Sequence, residues 1–103
     1  MILSTTHALK VPVVCRSEYT LSLEQPLGHA PFIHCDIHVP WSPSVLGKLR
    51  EDWALLCSLR GGPLRALHVP GDRKHLKFIT LFGFRKLDSF TDDLGRPRDI
   101  YTT

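Results

Sequence analysis

The segment from 41 to 63, "WSPSVLGKLREDWALLCSLRGGP", constrains the fold more than any other part of the chain. Ser42 reads as a helix N-cap followed by Pro43, which has no amide to lose at the first helical position; Ser44 is a competing cap. Leu46, Leu49, Trp53, Leu56 and Arg60 then recur at spacings of three and four, with Val45 and Leu59 widening the stripe. Gly61 and Gly62 end the run and Pro63 forbids its continuation. The pattern predicts a helix of about 17 residues. An apolar run stands on either side, "PFIHCDIHV" before and "PLRALHV" after, each bounded by turn residues. Two strands joined by a helix long enough to cross over imply parallel neighbours covered by that helix.

The remainder repeats the pattern once and then changes it. Asp72 caps a second helix carrying Leu76, Phe78, Ile79 and Phe82, and Gly83 ends it in the left-handed conformation, with Phe84 packing back on the last turn. "FRKLDSF", a polar loop "TDDLGR" and "PRDIYTT" then read as an antiparallel hairpin. Upstream, "VPVVC" and "YTLSL" are strand candidates, set apart by the loop "EQPLGHAP". Residues 32–103 therefore give strand, helix, strand, helix, strand, strand, an α/β chain of α+β type on a mixed sheet. A second strand-helix-strand unit predicts a second pair of parallel neighbours.

A chain of 103 residues buries roughly two thirds of its unfolded surface and supports one core, so residues 1–103 are read as a single domain. With 43% hydrophobic and 22% charged residues it falls outside the disordered classes. The net charge of +3 is spread among acids, so no nucleic-acid surface is indicated. Cys15, Cys35 and Cys57 have no paired metal or redox spacing and read as reduced, mostly buried thiols. "MILSTTHALK" lacks a basic stretch ahead of a long apolar run, and nothing approaches the roughly 18 apolar residues of a membrane helix, so a cytoplasmic setting without a membrane is expected.

Polar groups stand inside the strand-like run at Phe32 to Val39. His34, Asp36 and His38 fall at every second position and share one face with Phe32, while Ile33, Cys35, Ile37 and Val39 line the other. Three readings stay open. His34 or His38 is a general base with Asp36 orienting the imidazole. Alternatively the three, joined by His29, hold a divalent ion, although positions i and i+4 on a strand lie roughly 13 Å apart. In the plainest reading the apolar set faces the core and the polar set is solvated or touches a partner. Trp53 reads as core, Trp41 between two prolines as core or as an anchor for a partner. "DRKHLK" reads as a solvated first turn before it reads as a phosphate contact, and His68 as a half-buried strand residue.

The element order of residues 31–103 resembles the C-terminal half of the GNAT family of N-acetyltransferases, leaving 1–30 poorly matched. "HLKFITLFGFRKL" looks like that family's last helix running into its "LGF" turn, and "HCDIHV" like the strand beside which acetyl-CoA lies. "DRKHLKFITLFGFRKL" after a helix containing "REDW" is similar to small acetyltransferase-like proteins of tailed bacteriophages, including head-assembly and internal virion proteins. The resemblance implies a GNAT-like domain with a truncated mixed sheet and a cofactor site around Val39, Trp41, Ser42, Ser44 and Gly47, next to catalytic candidates His34, Asp36 and His38. Two departures stand against ordinary catalysis. The family's loop of Gln or Arg, two residues, Gly, one residue, then Gly or Ala corresponds here to "PWSPSVLGKL". Its single glycine, Gly47, is already helical, Pro43 deletes an amide, and Trp41 blocks close backbone approach. The family's thiolate-protonating tyrosine, four residues before the glycine of the turn, corresponds to Ile79.

The resemblance implies three functions. The favoured one is a phage protein with a degenerate acetyl-CoA site that acts by protein contacts in head or virion assembly. A working acetyltransferase with a histidine base is the second, and an inhibitor of a host defence protein the third. Because residues 1–30 are short for the family's early elements, an exposed edge or patch is expected to need a partner: self subunits in a homo-oligomer, or other phage subunits in a larger assembly. The expected place is the host cytoplasm, with incorporation into the virion.

Overall fold

The computed structural model describes residues 9–103; the reading of the first eight residues as free of a leader lies outside them. The elements follow as β1 (Lys10–Cys15), β2 (Tyr19–Glu24), β3 (Phe32–Ile37), α1 (Pro43–Arg60), β4 (Arg65–His68), α2 (Arg73–Leu81), β5 (Arg85–Thr91) and β6 (Pro97–Thr102). They build one six-stranded mixed sheet in the order β1-β2-β3-β4-β6-β5. Only β3 and β4 are parallel neighbours; every other adjacent pair is antiparallel.

The second expected pair of parallel neighbours does not form. β4 and β5 run the same way, but β6 lies between them, paired to β4 through Ala66↔Tyr101 and to β5 through Ser89↔Asp99. The hairpin thus places its half-buried second strand inside the sheet and leaves β5, with its exposed charged stretch Arg85 to Asp88, as the edge. β1 is the other edge, marked by Pro12 and by a register shift between Pro12 and Val14.

Both helices cover one face. Tyr19, Leu21, Val45 and Leu49 form one buried cluster with Ile33, Cys35 and Val39 packed on it. Ala66, Ile79, Phe84 and Tyr101 form a second, joined by Trp53, and Phe78 and Phe82 touch both clusters. Trp53 packs on Phe82 and Phe84. By strand alternation Thr20, Glu24, His34, Asp36 and Leu67 lie on the opposite face, where Ser22, Phe32 and Thr102 are buried and Leu67 is exposed.

The helix ends follow the local chemistry. The Ser42 hydroxyl, not Ser44, accepts from the Val45 amide at 3.2 Å, and Gly61 caps the other end at φ 69°. Asp72 accepts from the His75 amide at 3.1 Å. At Gly83, φ 87°, the Phe84 amide reaches back to the Ile79 carbonyl at 3.1 Å and places the Phe84 ring in the second cluster.

A network not anticipated from the sequence ties α1 to the first hairpin. The Asp52 carboxylate, 8% exposed, accepts from Arg16 Nε at 3.0 Å and Nη2 at 2.8 Å and from the Tyr19 hydroxyl. The Arg16 guanidinium holds the Asp52 carboxyl well below its ordinary range, and burial pushes the Tyr19 hydroxyl up to about 12. One thiol expectation is corrected. All three cysteines are free, but none is fully buried: Cys35 and Cys57 are half-buried, and Cys15 is exposed because its pairing with Thr20 turns it to the face away from the helices.

Candidate functional site

β3 and β4 touch at one end and then part. Their parallel ladder holds a single pair, Phe32↔Arg65, supported by the Arg65 amide donating to the Pro31 carbonyl at 2.9 Å. Beyond it lies a cavity of about 420 Å³. Its walls include consecutive residues of β3 from Ile33 to Ile37, so it is reached from both faces of the sheet, and Ala66 and Leu67 stand across from them. On the helix side it is apolar and aromatic, with Leu49, Trp53, Phe78 and Phe82; its polar groups are His34, Asp36, Lys10, Lys74 and His75. An apolar chamber with a few convergent polar groups is the usual form of a binding site.

Strand alternation sends His34 and Asp36 to the cavity from the open face. His34 Nε2 lies 2.8 Å from Glu24 Oε1 across the β2–β3 pair. His38 is not part of this group: it lies past the end of β3, where its Nε2 is 2.9 Å from the Thr20 hydroxyl, and it does not line the cavity. The two histidines are therefore held by different partners. Among the described residues no group of three or more His, Cys, Asp or Glu side chains is placed to hold a metal ion. Cys35 lines the cavity as a protonated thiol, pushed up to about 11 by burial and by the neighbouring Asp36 charge.

The expected cofactor residues stand outside these walls. Val39 packs into the first cluster. Trp41, 49% exposed, meets Phe78 edge to face at 5.7 Å, so it is half an anchor and half a surface. Of the first-turn amides of α1, Pro43 has none and that of Val45 is taken by Ser42, which leaves the amide of exposed Ser44. Gly47 is exposed on α1, and a Cβ there would meet nothing within 4 Å, so it makes no close backbone approach. Ile79, 4% exposed, lies in the second cluster and also lines the cavity.

No family model matches this chain, and no curated protein and no solved structure shows significant similarity to it.

Beside the cavity, His75 in its wall forms a polar pair with His68 that was missed in the sequence. His68 Nδ1 and His75 Nδ1 are 2.9 Å apart, with ring planes 12° from parallel and centroids 5.2 Å apart. Face-to-face rings cannot bring atoms nearer than the roughly 3.5 Å of non-bonded carbon contact, so the rings lie edge to edge and share one proton along the N–N line. His68 is 3% exposed and Tyr101 stands edge-on to it. Burial, and then His68, hold the His75 imidazole below its ordinary value of 6.5. The signal was faint: two histidines seven residues apart, one on a short strand and one on the first turn of the next helix.

Proposed function

We propose that the chain is a GNAT-like binding domain that acts through protein contacts, in the phage assembly setting suggested by the resemblance of "DRKHLKFITLFGFRKL". One observation carries this reading: the cavity beside β3 is open, while the helix start behind it offers little to a diphosphate. Pro43 and the Ser42 cap leave α1 the Ser44 amide in its first turn, and a cofactor anchored by so few donors loses the charge-assisted bonds that hold a nucleotide. The position at which the family carries its acid is an aliphatic core residue, Ile79. The exposed Leu67 and Leu87 on the sheet, and the β1 edge, with Val11 and Val13 exposed, favour self-association or a place in a larger assembly.

A second reading, an acetyltransferase with a histidine base, is favoured by the shared cavity of His34, Asp36 and His75. Glu24 would fix the His34 ring while its imidazole takes a proton from an amine. Isothermal titration with acetyl-CoA separates the two. The binding domain predicts no heat up to millimolar ligand; saturation at micromolar concentration contradicts it and favours the enzyme.

A further inference from the structure

The backbone on the two sides of the β3–β4 slot is oriented by hydrogen bonds outside it. The His38 amide donates to the Glu18 carbonyl at 2.9 Å, on the β2 side. Because successive peptide groups point to opposite edges, the amides and carbonyls of His34 and Asp36 also face β2, and those of Cys35 and Ile37 face β4. The Arg65 amide donates to Pro31 on the β3 side, so the amide and carbonyl of Leu67 face β3 as well. The parallel ladder stops at Phe32↔Arg65. Cys35, Ile37 and Leu67 therefore present their peptide groups to the slot from both walls, with no ladder partner across it. They form two strand edges inside one sheet, and a cavity of about 420 Å³ lies between them.

An occupant that satisfies both edges carries alternating donors and acceptors at strand spacing, which is the chemistry of an extended peptide. Its side chains would alternate in environment. Those on the helix side meet Leu49, Trp53, Phe78 and Phe82, with Lys74 of α2 in the same wall; those on the other meet His34, Leu67, Asp36 and the charge of Lys10. Large apolar residues fit the first and acidic residues the second.

Resting on the protein-contact reading above, we propose that the slot between β3 and β4 receives an extended segment of a partner protein by strand addition, its apolar side chains filling the cavity on the helix side and its acidic ones meeting Lys10 on the other. The probe is a fluorescein-labelled pool of hexapeptides alternating Leu, Ile or Val with Glu, titrated against the full chain by fluorescence polarisation. The same pool, N-methylated at alternate amides, keeps the side chains and removes the backbone donors. Saturation at micromolar protein is expected, weakened at least tenfold by N-methylation, together with slowed hydrogen exchange at Cys35, Ile37 and Leu67. The exposed variant Lys10→Glu should weaken the acidic pool and strengthen one in which Lys replaces Glu. Absence of saturation at millimolar protein, equal binding of the N-methylated pool, or slowed exchange at the outer edge of β1 instead overturns the proposal. So does a dimer of the chain alone whose slot amides are already slow, since a second copy is then the occupant. If the peptides fail and acetyl-CoA is also silent, strand addition falls while the protein-contact reading stands; saturation by acetyl-CoA removes the parent reading.

Discussion

The proton shared by His68 and His75 fixes the first turn of α2 to the end of β4 at one corner of the cavity. Adding a second proton would set two N–H groups against each other at 2.9 Å. Around the pair stand Asp72 from the α2 cap, Lys74 beside His75, Tyr101 edge-on from β6, Asp99 opposite His68, and Asp36 across the cavity. Since the folded His75 value lies below its ordinary 6.5, the unfolded chain binds the proton first as pH falls. The contribution of His75 to stability is therefore complete above 6.5 and is lost as pH drops through the lower folded value. Urea midpoints measured between pH 7.5 and 5 should fall on acidification, and His75→Asn should flatten that slope; an unchanged slope contradicts the shared proton. Asp52 acts lower on the scale. Its folded value lies below 3.8, so its contribution is present above 3.8 and fades as pH falls further. Asp52→Ala leaves the fully buried Tyr19 hydroxyl without its partner and should cost about 2 kcal/mol in urea unfolding.

At the scale of elements, the chain's punctuation does most of the specifying. Ser42, Pro43 and Gly61 bound α1, and Asp72 and Gly83 bound α2, because caps are local chemistry and are written within a few residues of where they act. Ser42→Ala should destabilise the fold by about 1 kcal/mol, read from thermal and urea unfolding; Ser44→Ala, at an exposed position that does not cap, should leave it within error. What was not legible depends on distant partners. Whether β5 or β6 lies beside β4 is decided by which strand of the hairpin buries a face, and both strands carry the same kinds of residue. The alternation of His34, Asp36 and His38 gave their shared face but not the end of β3 at Ile37, nor that His38, its amide still bonded to Glu18, turns its ring to Thr20. Arg16, Tyr19 and Asp52 are up to 36 residues apart, and nothing local joins them. The slot itself was invisible, since an apolar strand reads the same whether or not its edge is paired.

For the whole molecule, a sheet covered by helices on one face and divided by a slot explains why the cavity is reached from both sides. No described helix is long and apolar enough to cross a membrane, and the exposed apolar residues are instead scattered over the open face, the β1 edge and the outer surface of α1. If the open face mediates association, Leu67→Glu should shift sedimentation toward the monomer without changing the unfolding free energy by more than about 0.5 kcal/mol. The slot requires that β3 and β4 stay apart beyond Phe32↔Arg65. Hydrogen exchange of the free chain, resolved by residue, tests it directly. The amides of Cys35, Ile37 and Leu67 should exchange much faster than those of His34, Asp36, Ala66 and His68, which pair with β2 and β6; uniformly slow exchange along both strands would mean that the slot is closed.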